Sequence, residues 1–574
     1  MKHLKLSIIA VAIVLFPALS HAFQAGFARI SLIDGEALIK TEDSTDWLPA
    51  SVNTPLYEGD SVWSPEGSRV EIQLQNNGCL RLDGRSSVDI LALDKDFQQF
   101  NLGMGHLYVR TGTIPDNGLQ IDVNDTALKV YDKARFRVDI TEDGDEEVSL
   151  FKGNAYVEGS GGRTRLRTGE MLTVEGSNSE LSPLNPPDGW ERWNRDRDRR
   201  LAARKDGSRY LPEELTAYSS DLDANGEWVE VPEYGYVWRP TVVFGDEWSP
   251  YREGRWVWRG GDYVWISSES WGWAPYHYGR WVVVPNRGWC WVPPARADVY
   301  WGPGYVGWVT TPTYVGWVPL APGEVYYGRG YYGRNSVNIT NVNVTRTNVT
   351  NVTNVTNVTN VTNVSYRNVA VNNAVTVVRK DAFAAGRGEK VTVRENIFAR
   401  KNVVSLGAPA VKPVAREALM PAVRQVSPAK LPPARVANVP VRELRERHPQ
   451  LTDRPAAVFP VKEKGRGGME QRKAPDERGM AGAQGPAATR GAEQPSAPSS
   501  PVRGAERRDG GDSRPLAQRE NPLPKAENRP GGRGDLAFRP AGQRPAPSPR
   551  GEGKGKKVWK VKQKENGNGD KDKR

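Results

Sequence analysis

Two nonapeptides, WSPYREGRW at residues 248–256 and WAPYHYGRW at residues 273–281, lie 25 residues apart and agree at Trp, Pro, Tyr, Gly, Arg and Trp. Fourteen of the chain's 19 Trp fall between Trp228 and Trp317, so this internal repeat constrains the fold more than any other feature. A longer alignment sets GEWVEVPEYGYVWRP (residues 226–240) on GRWVVVPNRGWCWVP (residues 279–293) at an offset of 53. Between them lies GRWVWRGGDYVWI at residues 254–266, where Gly260 and Gly261 favour a tight turn because glycine reaches positive φ without steric cost. The pattern predicts three β-hairpins, with Trp256 and Trp258 on one face of a strand and Tyr263 and Trp265 on its partner. Further short strands are expected at residues 305–309 and 314–318.

The aromatics admit two readings. A sheet without a second layer leaves one face open, and Trp256 and Trp281 are then candidate contacts for a partner or a glycan. Large aromatics at repeat-equivalent positions also fill cores, and packing is the majority reading for any single Trp. The repeated Gly-Arg-Trp permits Arg255 and Arg280 to lie on aromatic faces.

Residues 23–185 alternate apolar and polar with the period of strands: Val70, Ile72 and Leu74 against Arg69, Glu71 and Gln73, and again Phe136, Val138 and Ile140. Turn signals fall at Asn76-Asn77-Gly78, Asp83-Gly84, Asp143-Gly144 and Gly161-Gly162. The pieces EGDSVW (58–63), GSRVEIQL (67–74), CLRLDGRSSVDI (79–90), GHLYVRTG (105–112), ARFRVDI (134–140), VSLFKGNAYVEG (148–159) and TGEMLTV (168–174) resemble, in order and spacing, the FecR-like extracytoplasmic domain of bacterial signal-relay proteins. The resemblance implies a noncatalytic, partner-binding β-domain. The family's sensors also carry a cytoplasmic effector segment, which is expected to be missing here, so direct sigma-factor control is not implied.

Pro186, Pro187 and Asp188 signal a helix running to Arg204, with a sparse stripe of Trp190, Trp193 and Leu201 and an otherwise solvated charged face. From about residue 190 to 327, YGYVWRP, WSPYREGRWVW, WGWAPYHYGRWV, GWCWVPP and GWVPLAPGE are similar to a Trp-rich family of exported bacterial proteins often joined to FecR-like domains. That resemblance implies kinship and no particular chemistry.

Lys2 and Lys5, an apolar run from Leu6 to Leu19 and Ser20-His21-Ala22 read as a cleavable export signal, so the expected location is periplasmic or secreted. The run is too short to span a bilayer, and no transmembrane segment is expected in the mature chain. From Arg379 onward there are 43 Lys and Arg against 22 Asp and Glu with five aromatics, leaving 36 against 46 before it. The chain is therefore an acidic body with a basic tail, expected to be disordered for want of apolar surface. The tail's KGKKVWKVKQK (554–564) suits anionic lipid headgroups or acidic polysaccharide by counterion release, and equally a run that is only solvated; export argues against nucleic acid. The six triplets at 348–365, NVT five times and then NVS, read as a polar β-rich linker, with self-assembly the minority reading.

No reactive site emerges. Asp221, Asp223, Asn225 and Gly226 open like a calcium loop, but Pro232 replaces the closing Glu. His277 has no second His nearby and reads as structural. Cys79 and Cys290, the only cysteines, are expected as isolated buried thiols, with a single interdomain bridge the minority reading. No cofactor and no metal site is expected. The expected organisation is an all-β protein: signal peptide 1–22, FecR-like β-domain 23–185, helical connector 186–225, Trp-rich repeat domain 226–333, linker 334–378 and basic tail 379–574. The expected function is a noncatalytic envelope scaffold or sensor-type adaptor contacting an envelope protein or anionic polysaccharide. The rival is a cell-wall or polysaccharide hydrolase with a Trp sugar platform, which would show two facing carboxylates beside exposed Trp, where a closed aromatic core would oppose it.

Overall fold

A computed structural model describes residues 27–141, 143–160, 162–203, 206–241, 248–330, 332–339, 365–393, 397–399, 407–420, 426–451 and 462–463. The export signal, the Asn-Val-Thr run apart from Ser365, and the final basic cluster lie outside them.

The alternating segments form two large sheets around one core. In the first, the neighbours run Asn178–Pro183, Glu170–Glu175, Glu146–Lys152, Arg135–Ile140, His106–Arg110, Cys79–Leu82, Arg69–Leu74 and Ala28–Asp34. In the second they run Gly162–Arg167, Asn154–Gly159, Thr126–Val130, Leu119–Val123, Gln98–Met104, Ser86–Leu93, Ser61–Ser64 and Leu38–Lys40. Ile30, Ile72, Leu80, Val109 and Phe136 of the first sheet meet Val62, Ile90, Phe100, Ile121 and Leu128 of the second in one buried cluster. Each is the apolar half of a strand's alternation, so period two decides which face turns inward.

The polar halves are not left in water. Over the first sheet lies a helix at Gly189–Ala202, capped by the Asp188 carboxylate, which accepts from the Glu191 amide at 2.7 Å. Trp190 and Trp193 stack at 5.1 Å, and the Arg69 guanidinium lies over both rings. This helix corrects the reading of a solvated charged face: Glu191, Asn194 and Asp198 are buried on it. The reason is the floor beneath, where Glu71 on an outward-facing position is 2 % exposed and bound to Arg81 and Arg197. Charge covers charge, because a buried carboxylate is tolerated only with partners.

In the Trp-rich region the three expected hairpins form: Gly226–Val231 with Gly235–Pro240, Gly254–Arg259 with Asp262–Ser267, and Arg280–Val284 with Gly288–Val292. A fourth joins Val306–Thr310 to Tyr314–Pro319. Gly260 and Gly261 turn the second with φ of 57° and 84°. Each hairpin places one Trp directly opposite another: Trp228 and Trp238, Trp256 and Trp265, Trp281 and Trp291, Trp308 and Trp317. The first and third hairpins also join edge to edge at Trp238 and Trp291, equivalent positions of the 53-residue repeat, so the two copies are related by a local two-fold. Gly254 and Gly279 are required by contact: a Cβ at Gly254 would lie 2.5 Å from the Trp265 ring, and one at Gly279 2.2 Å from the Val292 carbonyl oxygen.

The second hairpin solves the problem of a sheet with two apolar faces. Trp256, Tyr263 and Trp265 enter the aromatic core, while Val257, Val264 and Ile266 enter the core of the FecR-like sheets. Polar bonds accompany this junction. Arg259 donates to both oxygens of Asp60 at 2.7 and 2.6 Å, Arg29 pairs with Asp221 at 3.1 Å, and Asn53 donates to the Glu269 carbonyl at 2.8 Å.

The last residues of the expected linker form a strand, Thr376–Arg379, that pairs with Tyr314–Pro319. The basic tail was expected to lack structure from Arg379, and its first stretch departs from this: Phe383, Ile397, Leu419, Val436, Val441 and Leu444 are buried. Their burial is supplied by surfaces of the folded domains, which composition of the tail alone does not register. No helix among the described residues is long and apolar enough to cross a membrane.

Candidate binding faces

Trp256 and Trp281, the sequence candidates for partner or glycan contact, are 5 % and 1 % exposed. Trp256 packs on Trp265, Trp308 and Trp317, while Trp281 packs on Tyr276 and Trp271 and donates to the Pro275 carbonyl at 2.9 Å. Rings enclosed this way have no free face for a sugar, because the layer missing from the sequence argument is provided by the fourth hairpin and the other repeat. Tyr251 and Tyr276 of the nonapeptides interlock, the first hydroxyl donating to the second's carbonyl at 2.6 Å.

The other singled-out residues are structural here. Arg280 lies over the Tyr305 ring at 3.9 Å. Arg255 differs from its repeat mate: it donates to the carbonyls of Ala418 and Leu419 and to Ser51 Oγ, and burial pulls its guanidinium down to about 10. The Nδ1 of His277 lies 2.8 Å from the Gly302 carbonyl, and burial lowers the imidazole to about 4, so it is neutral. Asp223 accepts from the indole of Trp228 at 3.2 Å, and Asp221 is held by Arg29 within the helix Ser219–Asn225. Cys79 and Cys290 are free and buried.

A face that sequence reasoning missed lies on the outer side of the second sheet. Register aligns Lys40, Ser61, Asp89, Asn101 and Asp122 in one row across five strands, with Gln99 beside Gln120 in the next. A lone sandwich would leave these polar side chains in water, yet all are buried. Residues 426–451 cover them. Trp63 Nε1 donates to the Lys430 carbonyl at 2.9 Å, and Lys40 Nζ to those of Ala437 and Val439 at 2.9 and 3.2 Å. Gln99 and Gln120 take the carbonyls of His448 and Pro449 at 2.9 and 3.1 Å, and Gln120 accepts from the Leu451 amide at 2.9 Å. Rim ion pairs of Lys430 with Glu36 and Arg445 with Glu42 and Glu58 match the basic segment to the acidic body. Burial pushes Asp122 up to about 7, with the two Gln amides opposing it. Amides at outward positions of the strand Gln98–Met104 are the signal that points here, since Gln and Asn are depleted in strands without a partner to bind.

Residues 60–156 match the family described as FecR protein, and residues 219–324 match a family of unknown function, DUF6600. The chain thus joins a FecR-like domain to a Trp-rich domain of an uncharacterised family, in an all-β fold. Two crystal structures of a proposed anti-sigma factor from Parabacteroides distasonis align at 18 % and 17 % identity, each with a TM-score of 0.20. Both alignments cover 22 % of this chain and 59 % of that one, so less than two thirds of the relative's length is spanned. No curated protein matches.

Proposed function

We propose that this protein is a noncatalytic, exported envelope scaffold or sensor-type adaptor that binds a protein partner through its FecR-like domain. The observation that carries the reading is the capture of residues 430–451 on the second sheet. Four side chains of the FecR-like domain take five main-chain carbonyls at the ends of, or just beyond, the short helices Pro428–Lys430, Ala434–Ala437 and Val441–Arg447, a mode of recognition indifferent to side-chain identity, while acidic residues at the rim select basic charge. The chain's own segment is thus the template for a partner polypeptide of the same character, a basic run of short helical turns with free carbonyls at their ends. The closed aromatic core at Trp256 and Trp281 weighs against the rival reading of a hydrolase with a Trp sugar platform. The proposal is tested by placing a photo-crosslinking residue at Asp125, exposed on the rim of this face, in the full-length protein in its host. An adduct with a second envelope protein is expected. Adducts confined to the chain itself or to polysaccharide would overturn the reading.

A further inference from the structure

The outer face of the first sheet carries a different set of charges, roofed by the helix Gly189–Ala202. Register sets Arg29, Gln73, Cys79, Arg110 and Arg135 in one row across five adjacent strands. The neighbouring row brings Glu71, Arg81 and Tyr108 together. Glu71 is taken by Arg81 at 2.8 Å and Arg197 at 2.8 Å, and these guanidiniums outweigh its burial to hold it down at about 2. Asp221 is taken by Arg29. What remains is Asp198 on the helix, approached by Arg81 at 2.8 Å, Arg110 at 3.4 Å, Arg135 at 3.8 Å and the Tyr108 hydroxyl at 2.9 Å.

Five guanidiniums therefore face three carboxylates among the described residues, and three of the five converge on one carboxylate. The buried Nε of Arg110 has the Asp198 carboxylate, 3.4 Å away and shared with Arg81, as its ion-pair partner. Arg110 and Arg135 are also direct cross-strand partners, an arrangement in which like charges repel. Cys79 offers no countercharge, since burial raises its thiol and keeps it neutral. Beside these groups lies a cavity of about 380 Å³, lined by Arg29, Arg110, Arg135 and Arg197 and by the three carboxylates Glu71, Asp198 and Asp221 that they face. Its volume holds more than a single small ion. Arg110 and Arg135 retain side-chain exposures of 33 % and 37 %, so a solute can reach them.

We propose that this cavity binds a small dianionic oxyanion carried on a polar body, a phosphomonoester or a dicarboxylate, with Arg110 and Arg135 as its forked donors. The ligand supplies the two negative charges that the described residues lack, and guanidinium forks match both oxyanions in geometry. The site lies on the sheet opposite the polypeptide-holding face, so its failure and the failure of the proposed function are separate outcomes.

The test uses the full-length protein with glycerol phosphate and with succinate, each compared with sodium chloride at equal ionic strength. At least one dianion is expected to bind by calorimetry and to raise the unfolding midpoint beyond the salt control; which one identifies the class. Arg110→Gln and Arg135→Gln are each expected to weaken binding about tenfold, whereas Arg167→Gln, on an exposed strand end of the other sheet, leaves it unchanged. A second measurement needs no ligand: at low ionic strength Arg135→Gln should be more stable than the parent, with added salt narrowing the gap. Shifts no larger than those with chloride, or equal shifts in the Arg110 and Arg135 variants, would overturn the proposal, as would a loss of stability in ligand-free Arg135→Gln.

Discussion

Replacing Arg259 by Met isolates the bond that ties the Trp-rich hairpin to the FecR-like domain. Asp60 is fully buried and the Arg259 side chain is 13 % exposed. The carboxylate accepts two bonds from the guanidinium and a third from the Tyr57 amide at 2.9 Å, while the guanidinium lies over the Tyr57 ring. Removing one partner of such a pair leaves an uncompensated buried charge, at a cost of about 3–5 kcal/mol. Burial already pushes Asp60 above the usual carboxylate range with the guanidinium opposing it, so Arg259→Met raises it further. A carboxyl whose folded value exceeds its unfolded value of about 3.9 loses stability on ionising, so the deficit is small near pH 4 and grows as pH rises through the folded value. Urea unfolding should therefore show Arg259→Met close to the parent in acid and about 3–5 kcal/mol below it at pH 8, with Asp60→Asn in the same chain recovering most of the loss. A deficit under about 1 kcal/mol at pH 8, or one equal at both pH values, would refute a buried pair.

Further outcomes follow from the same packing. Gly279 has φ of 66° and its Cβ would strike the Val292 carbonyl, so Gly279→Ala should lower stability by about 2 kcal/mol or more. Gly176, with φ of 60° and open space around its Cβ, should lose about 1 kcal/mol on the same change by urea titration. Trp281→Ala should cost about 3–5 kcal/mol; a variant as stable as the parent would show that the ring is not in the core. Burial pushes Glu269 up to about 7 while Ser267, Trp248 and Tyr276 donate to it. Its ionisation removes stability as pH rises from about 4 to 7, so Glu269→Gln should gain at pH 8, by at most about 3 kcal/mol, and gain little at pH 4 in thermal melts.

Strand alternation at Val70, Ile72 and Leu74, the Gly260-Gly261 turn and the Asp188 cap were all legible because each depends on neighbours in the chain. The facing aromatics of the second hairpin, Trp256 and Trp258 against Tyr263 and Trp265, followed from the same local register. The fate of the opposite faces was not legible, since burial there depends on layers distant in sequence. Glu71 reads as a solvent-facing residue until the helix carrying Arg197 lies across it, 126 positions later. Trp256 reads as core filler first and as a platform second, and the choice is made only where Trp308 and Trp317 close over it. Residues 426–451 read as tail because their anchors are single apolar side chains among charges and prolines; the donors that hold their carbonyls, Lys40, Trp63, Gln99 and Gln120, belong to another domain. The polypeptide-holding face was missed for the same reason.

The FecR-like sheets and the Trp-rich hairpins share the second hairpin between two cores, so the two should unfold as one cooperative body. Scanning calorimetry of the full-length protein, parent against Arg259→Met, distinguishes this from independent domains. A single transition covering both domains, moved to lower temperature as a whole by the substitution, is the predicted result. Two separate transitions, with the substitution shifting one and leaving the other in place, would contradict it.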